Sequence, residues 1–175
     1  MENESLLPEV WQRGPVDGIP SLLQPVAHAL LQAKEEVNLI QQNLDKYLLW
    51  QQPAGLASPG FHLQHLAGVL DRLFTYAREE QLSIDQLQKL SEEQTPRKEN
   101  LSVNILVHQF NDQVDKSILQ LKETSPHNLT AVRYAGRKLI ATTLMGLLVH
   151  GAEHTMRHVG QLMVTVKILQ YQNKK

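Results

Sequence analysis

The stretch that decides the fold is residues 143–171, TLMGLLVHGAEHTMRHVGQLMVTVKILQY. Its histidines, His150, His154 and His158, are spaced i, i+4 and i+8, so on a helix they lie along one face. Leu147 and Thr165 extend the same stripe, which we therefore expect to point inward. A helix over this stretch would be about 40 Å long at 1.5 Å per residue, and we predict that it is the longest element.

Three further amphipathic helices are predicted upstream, because apolar residues recur there with helical spacing. They cover about 21–44, 59–80 and 102–121. Ser58 followed by Pro59 is a favourable helix start, with a capping hydroxyl before a proline in the first turn. The capping box of Ser83 and Gln86 predicts an additional short helix at 84–90.

Four long helices without a competing strand pattern predict the fold class. No segment alternates cleanly between polar and apolar residues, although residues 126–142 give little pattern of either kind. We therefore predict an all-α, up-and-down four-helix bundle forming one domain over 1–175. Residues 1–20 are rich in proline and glycine and are predicted to be an irregular arm that Trp11 anchors. Residues 91–99 are charged, contain Pro96, and are predicted to be a solvated loop.

Composition excludes several classes of function. The 175 residues are 42% apolar and 20% charged, with a formal net charge of -1, which is ordinary for a globular domain. No cluster of Lys and Arg is longer than two, so neither nucleic acid nor an anionic membrane is an expected partner. The chain has no cysteine, which excludes disulfides, zinc ribbons and cysteine nucleophiles. It lacks a secretory signal and an apolar run of about 20 residues, so we expect a cytoplasmic protein.

The eight histidines are the unusual feature, and two of the predicted helices carry five of them. His65 lies on the apolar side of the second helix, and His62, one turn earlier, is expected nearer the end of the bundle. A lone histidine on an apolar face is usually a core residue with an ordinary hydrogen-bond partner. Several close together need more partners, because buried imidazoles must be satisfied. A divalent ion at about 2.0–2.1 Å from neutral ring nitrogens would supply them.

Two known metal patterns do not fit the last helix. In the zinc-protease motif His-Glu-x-x-His the glutamate is the general base, but His154 is followed by Thr155. The carboxylate-bridged di-iron bundles need paired inward glutamates, and Glu153 points about 100° away from His154. We therefore predict one metal ion, bound by His65, His154 and His158.

This pattern resembles the DinB-like (YfiT-type) superfamily of metal-binding four-helix bundles. That family carries one histidine on its second helix and His-x-x-x-His-x-Gly-Gln on its last helix, here His65 and 154–161. The likeness extends over nearly the whole chain and includes segments 11–15, 49–55, 60–66, 70–73 and 133–138. It implies zinc or nickel as the ion, and frequently a homodimer.

The resemblance does not imply one activity. Members of the family resemble transferases that use low-molecular-weight thiols, thiol-dependent isomerases or metal-dependent hydrolases. Three protein ligands leave an open coordination position, as catalytic zinc sites do, where water or an external thiol could bind. We therefore hypothesise a metal-dependent thiol S-transferase or hydrolase acting on a small molecule. The alternatives are a non-catalytic metal-binding or ligand-binding bundle, and histidines that bind nothing.

Other residues near the motif are weaker candidates. Gln161, one turn after His158, could orient that histidine or hydrogen-bond to a ligand on the metal. Basic residues between the third and fourth helices could hold an anionic substrate, although such side chains are more often solvated. These are Arg133, Arg137 and Lys138, with the same ambiguity at Arg157. Gln64, Glu153 and Tyr134 are the remaining candidates for supporting roles, and His62 or His150 could join the metal site.

Overall fold

The computed structural model describes residues 7–93 and 101–173. The fold is mostly helical, as predicted. Its elements in chain order are α1 (Gln24–Asn43), α2 (Pro59–Ala77), α3 (Ile84–Glu92), α4 (Val103–Glu123), β1 (Val132–Ala135), β2 (Ile140–Thr143) and α5 (Leu144–Gln172). The longest element is α5, with 29 residues.

Short polar side chains begin the helices where the sequence places them. The Ser58 hydroxyl accepts a hydrogen bond from the backbone N–H of Phe61, and Pro59 occupies the first helical position of α2. Ser83 and Gln86 form the predicted capping box of α3, and Thr143 caps α5 through the N–H of Gly146. These bonds satisfy N–H groups that have no partner inside the helix.

The long helices pack in a different order from the one predicted. Both α1 and α2 pack against α4 and α5, whereas among the described residues the consecutive pairs α1/α2 and α4/α5 have little contact. An up-and-down order, in which consecutive helices are neighbours, is therefore wrong. Residues 44–58 and 124–143 form long connections, and long connections allow consecutive helices to lie diagonally.

One apolar core fills the space between these helices. It draws on all four of them, so α2 and α5, which carry five of the histidines, are held in fixed register. Its largest fully buried side chains include Leu30, Leu63, Leu66, Leu70, Phe74, Leu106, Phe110, Leu121 and Leu148. On the site-bearing interface a Cβ at Gly151 of α5 would lie 3.3 Å from the ring of Phe74. A small residue there lets α2 and α5 approach closely.

A two-stranded hairpin joins α4 to α5, where no strand was predicted. Strands β1 and β2 are antiparallel, with Val132 opposite Thr143 and Ala135 opposite Ile140. Each strand has only four residues, and Val132, Tyr134 and Ile140 are all more than half exposed. Since both faces carry exposed apolar side chains, the sequence shows no period-two pattern.

Residues 7–20 of the predicted arm lie against α1, but Trp11 does not anchor them, and residues 1–6 lie outside the described part of the chain. Trp11 is 61% exposed, whereas Val10 is buried and its N–H donates to Oε1 of Gln32 at 3.0 Å. Arg13 forms a two-point ion pair with Glu35, at 2.6 and 2.8 Å. Val10 and Arg13 therefore fasten the arm, while the indole N–H of Trp11 donates to Glu9 within the arm.

No helix among residues 7–93 and 101–173 is long and apolar enough to cross a membrane.

Candidate metal centre

The packing of α2 on α5 brings together histidines that are far apart in the sequence. Nε2 of His65 lies 3.0 Å from Nε2 of His154. One ring nitrogen from each of His65, His154 and His158 lies within 4.8 Å of the others. In the described part of the chain this is the group of side chains that could hold a metal ion. It consists of the three residues proposed from the sequence.

The three rings enclose a small common space. The ring centroids of His65 and His158 are 4.4 Å apart, and those of His154 and His158 are 4.6 Å apart. Phe61, one turn before His65 on α2, stacks on the His65 ring at 5.3 Å with an interplanar angle of 9°. This stacking restricts rotation of the His65 ring.

The three histidines are half-buried, although the sequence pattern predicted that they would be buried. The buried stripe of α5 passes through Gly151, Thr155 and Leu162. His154 and His158 flank this stripe, so the site lies at the border between core and solvent. A border position leaves the three rings partly exposed to solvent.

Burial and crowding keep two of these histidines neutral. Desolvation lowers the pKa of His158 to about 4, with further lowering by nearby His65, His154, His62 and Arg157. Desolvation also lowers the pKa of His154, and the neighbouring His65 adds to this effect. Both rings are therefore neutral at pH 7, which is the form that binds a metal ion.

Glu93 is part of this site, and sequence reasoning missed it. Its Oε2 lies 2.8 Å from Nδ1 of His65, and its Oε1 accepts from Nη1 of Arg72. The prediction of a solvated loop from 91 is wrong here, because α3 continues to Glu92 and Glu93 is only 6% exposed. The rest of that predicted loop, 94–99, lies outside the described residues. Nothing in a charged segment marks one glutamate as buried.

The electrostatics of Glu93 follow from its two partners. Burial alone would raise the pKa of its carboxyl group. Hydrogen bonds from His65 and Arg72 outweigh burial, so the net effect is a lowered pKa. Glu93 is thus a carboxylate at neutral pH and can only accept hydrogen bonds.

His62, in the first turn of α2, is buried deeper than the three proposed ligands. It is 4% exposed, and its Nδ1 lies 3.1 Å from Nδ1 of His158. Desolvation, with a contribution from His65, lowers its pKa to about 4. Two neutral rings at this distance can share one hydrogen bond, so His62 is placed to orient His158.

Several other candidates lie at the edge of the cluster or outside it. Gln161 and His150 are exposed, and the ring centroid of His150 lies 5.4 Å from that of His154. The nearest ionic neighbour of His150 is Glu153 at 3.7 Å. Glu153 pairs with Arg157 on the outer face of α5. Gln64 lines a cleft of about 350 Å³ between α2, α3 and α4, which Glu93 also lines.

The basic residues of the hairpin do not form an anion site at the histidines. Arg133 is buried, and its Nε donates to the carbonyl oxygen of Ala77 at the end of α2. Its Nη2 lies 3.5 Å from Glu79, so it fastens the hairpin to α2. Arg137, Lys138 and Tyr134 are not buried.

The donor set fits a divalent ion. Two nitrogen ligands at about 2.0–2.1 Å from one ion are about 2.9 Å apart at a right angle and about 3.4 Å apart at the tetrahedral angle. The 3.0 Å between His65 and His154 lies within this range. Among residues 7–93 and 101–173, the buried Nδ1 of His154 has no hydrogen-bond partner, so no other side chain there fixes the orientation of this ring through Nδ1.

Comparison with known proteins supports this fold. The model of the DinB superfamily matches residues 4–162. A protein of known structure from Streptococcus pneumoniae is similar, with a TM-score of 0.63 and 14% identity over 87% of this chain and 91% of that chain. A DinB-like protein from Bacillus subtilis has a TM-score of 0.58 and 15% identity over 83% of this chain and 92% of that one. A search of the curated proteins found no match.

Proposed function

The chain belongs to the DinB superfamily, and we propose that it binds one divalent metal ion through His65, His154 and His158. We further propose that the bound ion serves a reaction of a small molecule, with zinc or nickel as the metal. The observation that carries the proposal is the convergence of three ring nitrogens from two helices within 4.8 Å. Such convergence is costly for unpaired imidazoles and favourable for metal ligands.

The neutral state of the ligands supports metal binding at physiological pH. A proton and a metal ion compete for the same ring nitrogen, so a lowered pKa favours the metal. The pKa values of His154 and His158 are both lowered. His154 and His158 are therefore neutral before an ion arrives.

The half-buried position of the cluster supports a catalytic role over a purely structural one. Structural zinc sites are closed by four protein ligands, whereas catalytic sites have three and keep an open position. A bound divalent ion would act as a Lewis acid and lower the pKa of a water molecule or thiol that coordinates it. The protein residues hold the ligand rings in place, with Phe61 stacked on His65 and His62 beside His158.

We propose a low-molecular-weight thiol as co-substrate. The chain has no cysteine, so any thiolate in the reaction must come from outside the protein. The exposed side of the cluster would admit it. Transfer of this sulfur to an electrophilic small molecule is the preferred reaction, with metal-dependent hydrolysis as the alternative.

The first experiment measures whether the protein binds metal. Protein without a histidine tag is purified, stripped with a chelator, and titrated with Zn²⁺ and Ni²⁺ while elemental analysis gives the stoichiometry. We expect one ion per chain. A folded protein that retains no ion at micromolar concentrations would remove the basis of the proposal.

The second experiment separates the activities. Consumption of a chromogenic electrophile is followed with several small thiols, with metal-loaded and metal-stripped protein. Thiol-dependent turnover that disappears with the metal supports the transferase. Turnover with metal and water alone favours the hydrolase, and tight binding of metal without any turnover favours a non-catalytic binding protein.

A further inference from the structure

We propose that Glu93 is a positioning residue for the metal centre, fixing His65 so that its Nε2 is free to bind the ion. This inference rests on the proposed function, because it assigns a role toward the bound metal. It also implies that α3, which ends immediately before Glu93, is energetically coupled to the site.

The hydrogen bond between Glu93 and His65 determines how His65 presents its ring. Oε2 of Glu93 lies 2.8 Å from Nδ1 of His65, and a carboxylate can only accept. The Nδ1 of His65 is therefore the donor, and in the metal-binding form of the ring the lone pair is on Nε2. That nitrogen is the one that lies 3.0 Å from Nε2 of His154. Carboxylates in this arrangement orient ligating histidines and increase their basicity.

The second oxygen of Glu93 is also engaged. Arg72 donates to Oε1 from α2, and both residues are less than 10% exposed. A buried carboxylate is costly without partners, so His65 and Arg72 together explain why Glu93 is buried. Both carboxylate oxygens of Glu93 are thus engaged, one by His65 and the other by Arg72. Of these two partners, His65 is the one that belongs to the proposed metal site.

The surface of α2 leaves room for the carboxylate of Glu93 at Gly68. His65, Gly68 and Arg72 are spaced i, i+3 and i+7, so they lie on one face of α2. A Cβ at Gly68 would overlap with Oε1 of Glu93 and come within 2.7 Å of Nη1 of Arg72. Glycine at 68 therefore makes space for Glu93 between His65 and Arg72.

The attachment of α3 to the rest of the protein depends on a few polar contacts. None of the residues in α3 is buried, and Ile84 is 85% exposed. At the start of α3, Gln86 donates to Asp71 and to Thr75 of α2. At its end, Glu93 binds His65 and Arg72. Weak packing elsewhere means that the Glu93 contacts contribute much of the docking of α3.

Coupling between two binding events is reciprocal. If Glu93 strengthens metal binding at His65, the metal must strengthen the docking of Glu93 and hence of α3 by the same factor. A glutamate that only holds α3 in place would affect the stability of the protein, but metal binding would then not strengthen the docking of α3. Hydrogen exchange of α3 therefore distinguishes the two roles.

The test compares Zn²⁺ affinity in matched variants, measured by competition with a chromophoric chelator. We expect Glu93→Gln to bind Zn²⁺ about 10–100-fold more weakly than the wild type, as observed when such partners of metal ligands are removed. Glu80→Gln removes a carboxylate that pairs with exposed Arg78 and should leave affinity unchanged. Gly68→Ala displaces Glu93 without changing a polar group and should also weaken binding. Gly160→Ala is its control, because a Cβ there meets no atom within 4 Å.

The readout for coupling is amide exchange of residues 84–92 with and without Zn²⁺. Zinc should slow exchange there in the wild type and have little effect in Glu93→Gln. If wild-type protein binds Zn²⁺ and both variants bind it within twofold as tightly, Glu93 has no positioning role and the proposed function still stands. If wild-type protein binds no Zn²⁺, both are overturned. Should Glu93→Gln fail to fold, Gly68→Ala with its control decides the question.

Discussion

His62 and His158 face each other across the α2–α5 interface, with their Nδ1 atoms 3.1 Å apart. One ring must donate and the other accept, because both are neutral at pH 7. The contact continues a line of side chains that begins at Arg72 and passes through Glu93, His65 and His158. The proposed ligands thus have ordered partners on both sides, an anion at one end and a neutral ring at the other.

Removing single histidines should identify the ligands. We expect alanine at 65, 154 or 158 to remove most bound metal, because each change deletes a coordinating nitrogen. His62→Ala and His150→Ala should have smaller effects, since His62 contacts a ligand ring and His150 is exposed. Metal content by elemental analysis, with circular dichroism to establish folding, measures this. Exposed His108 on α4 provides the control, and full occupancy in folded His154→Ala would refute the assignment.

Metal retention should persist to lower pH than ordinary histidines allow. An unperturbed histidine binds a proton near pH 6.5, but the pKa of His158 is lowered to about 4 and that of His154 is also lowered. Protons therefore compete with the metal at these two rings only at pH values below those at which an ordinary histidine titrates. Equilibrium dialysis with Zn²⁺ from pH 8 to pH 4 tests this, and loss of half the ion already at pH 6.5 would contradict it.

The stability of the metal-free protein should fall with pH in the same window. His62 has a pKa of about 4 in the folded state and near 6.5 when unfolded, so the unfolded chain binds more protons between these values. Stability therefore decreases as pH falls from about 6.5 to about 4. Melting temperatures of chelator-treated protein should show a shallower decline for His62→Gln, which keeps a polar partner for His158 but does not titrate. Equal slopes would argue against a buried neutral His62.

The sequence predicted which histidines come together better than it predicted their surroundings. Regular spacing on one helix and a shared apolar side on another were enough to select His65, His154 and His158. The ordinary helix caps were equally readable, as at Ser58 and Ser83. Such features depend on residues a few positions apart in one helix, and the regular geometry of the helix fixes the distances between them.

Features that depend on tertiary packing could not be predicted. Glu93 is 28 residues from His65, and only the docking of α3 makes it a partner. The diagonal arrangement of α1 and α2 depends on the path of residues 44–58, which carry no helical pattern. The degree of burial at His154 and His158 depends on how far the apolar stripe of α5 is turned toward α2, and periodicity does not fix that angle.

The arm should respond to changes at Val10 and not at Trp11. Val10→Ala removes buried methyl groups and is expected to lower the free energy of unfolding by about 1–2 kcal/mol. Trp11→Ala changes an exposed side chain and should stay within about 0.5 kcal/mol of the wild type. Urea unfolding followed by circular dichroism measures both, and a larger loss from Trp11→Ala would restore the indole as the anchor.

Arg133 should behave as a structural residue. Its guanidinium donates to the carbonyl oxygens of Ala77 and Val132, so Arg133→Ala removes the donor to the buried carbonyl of Ala77 and is expected to cost about 1–3 kcal/mol. Arg137→Ala at the exposed hairpin turn is the matched control and should be near neutral. Thermal unfolding compares them. A fully stable Arg133→Ala protein would reopen a role in binding an anion.

The separation of the proposed ligands along the chain has a kinetic consequence. His65 and His154 are 89 residues apart, and α4 and the hairpin lie between α2 and α5 in the sequence. Contacts between such distant residues form late in folding because the chain entropy of loop closure must be overcome first. The ion would therefore bind only after the chain has crossed the free-energy barrier to folding. It would slow unfolding and leave the rate of folding nearly unchanged, so the metal-bound protein would gain lifetime without folding any faster.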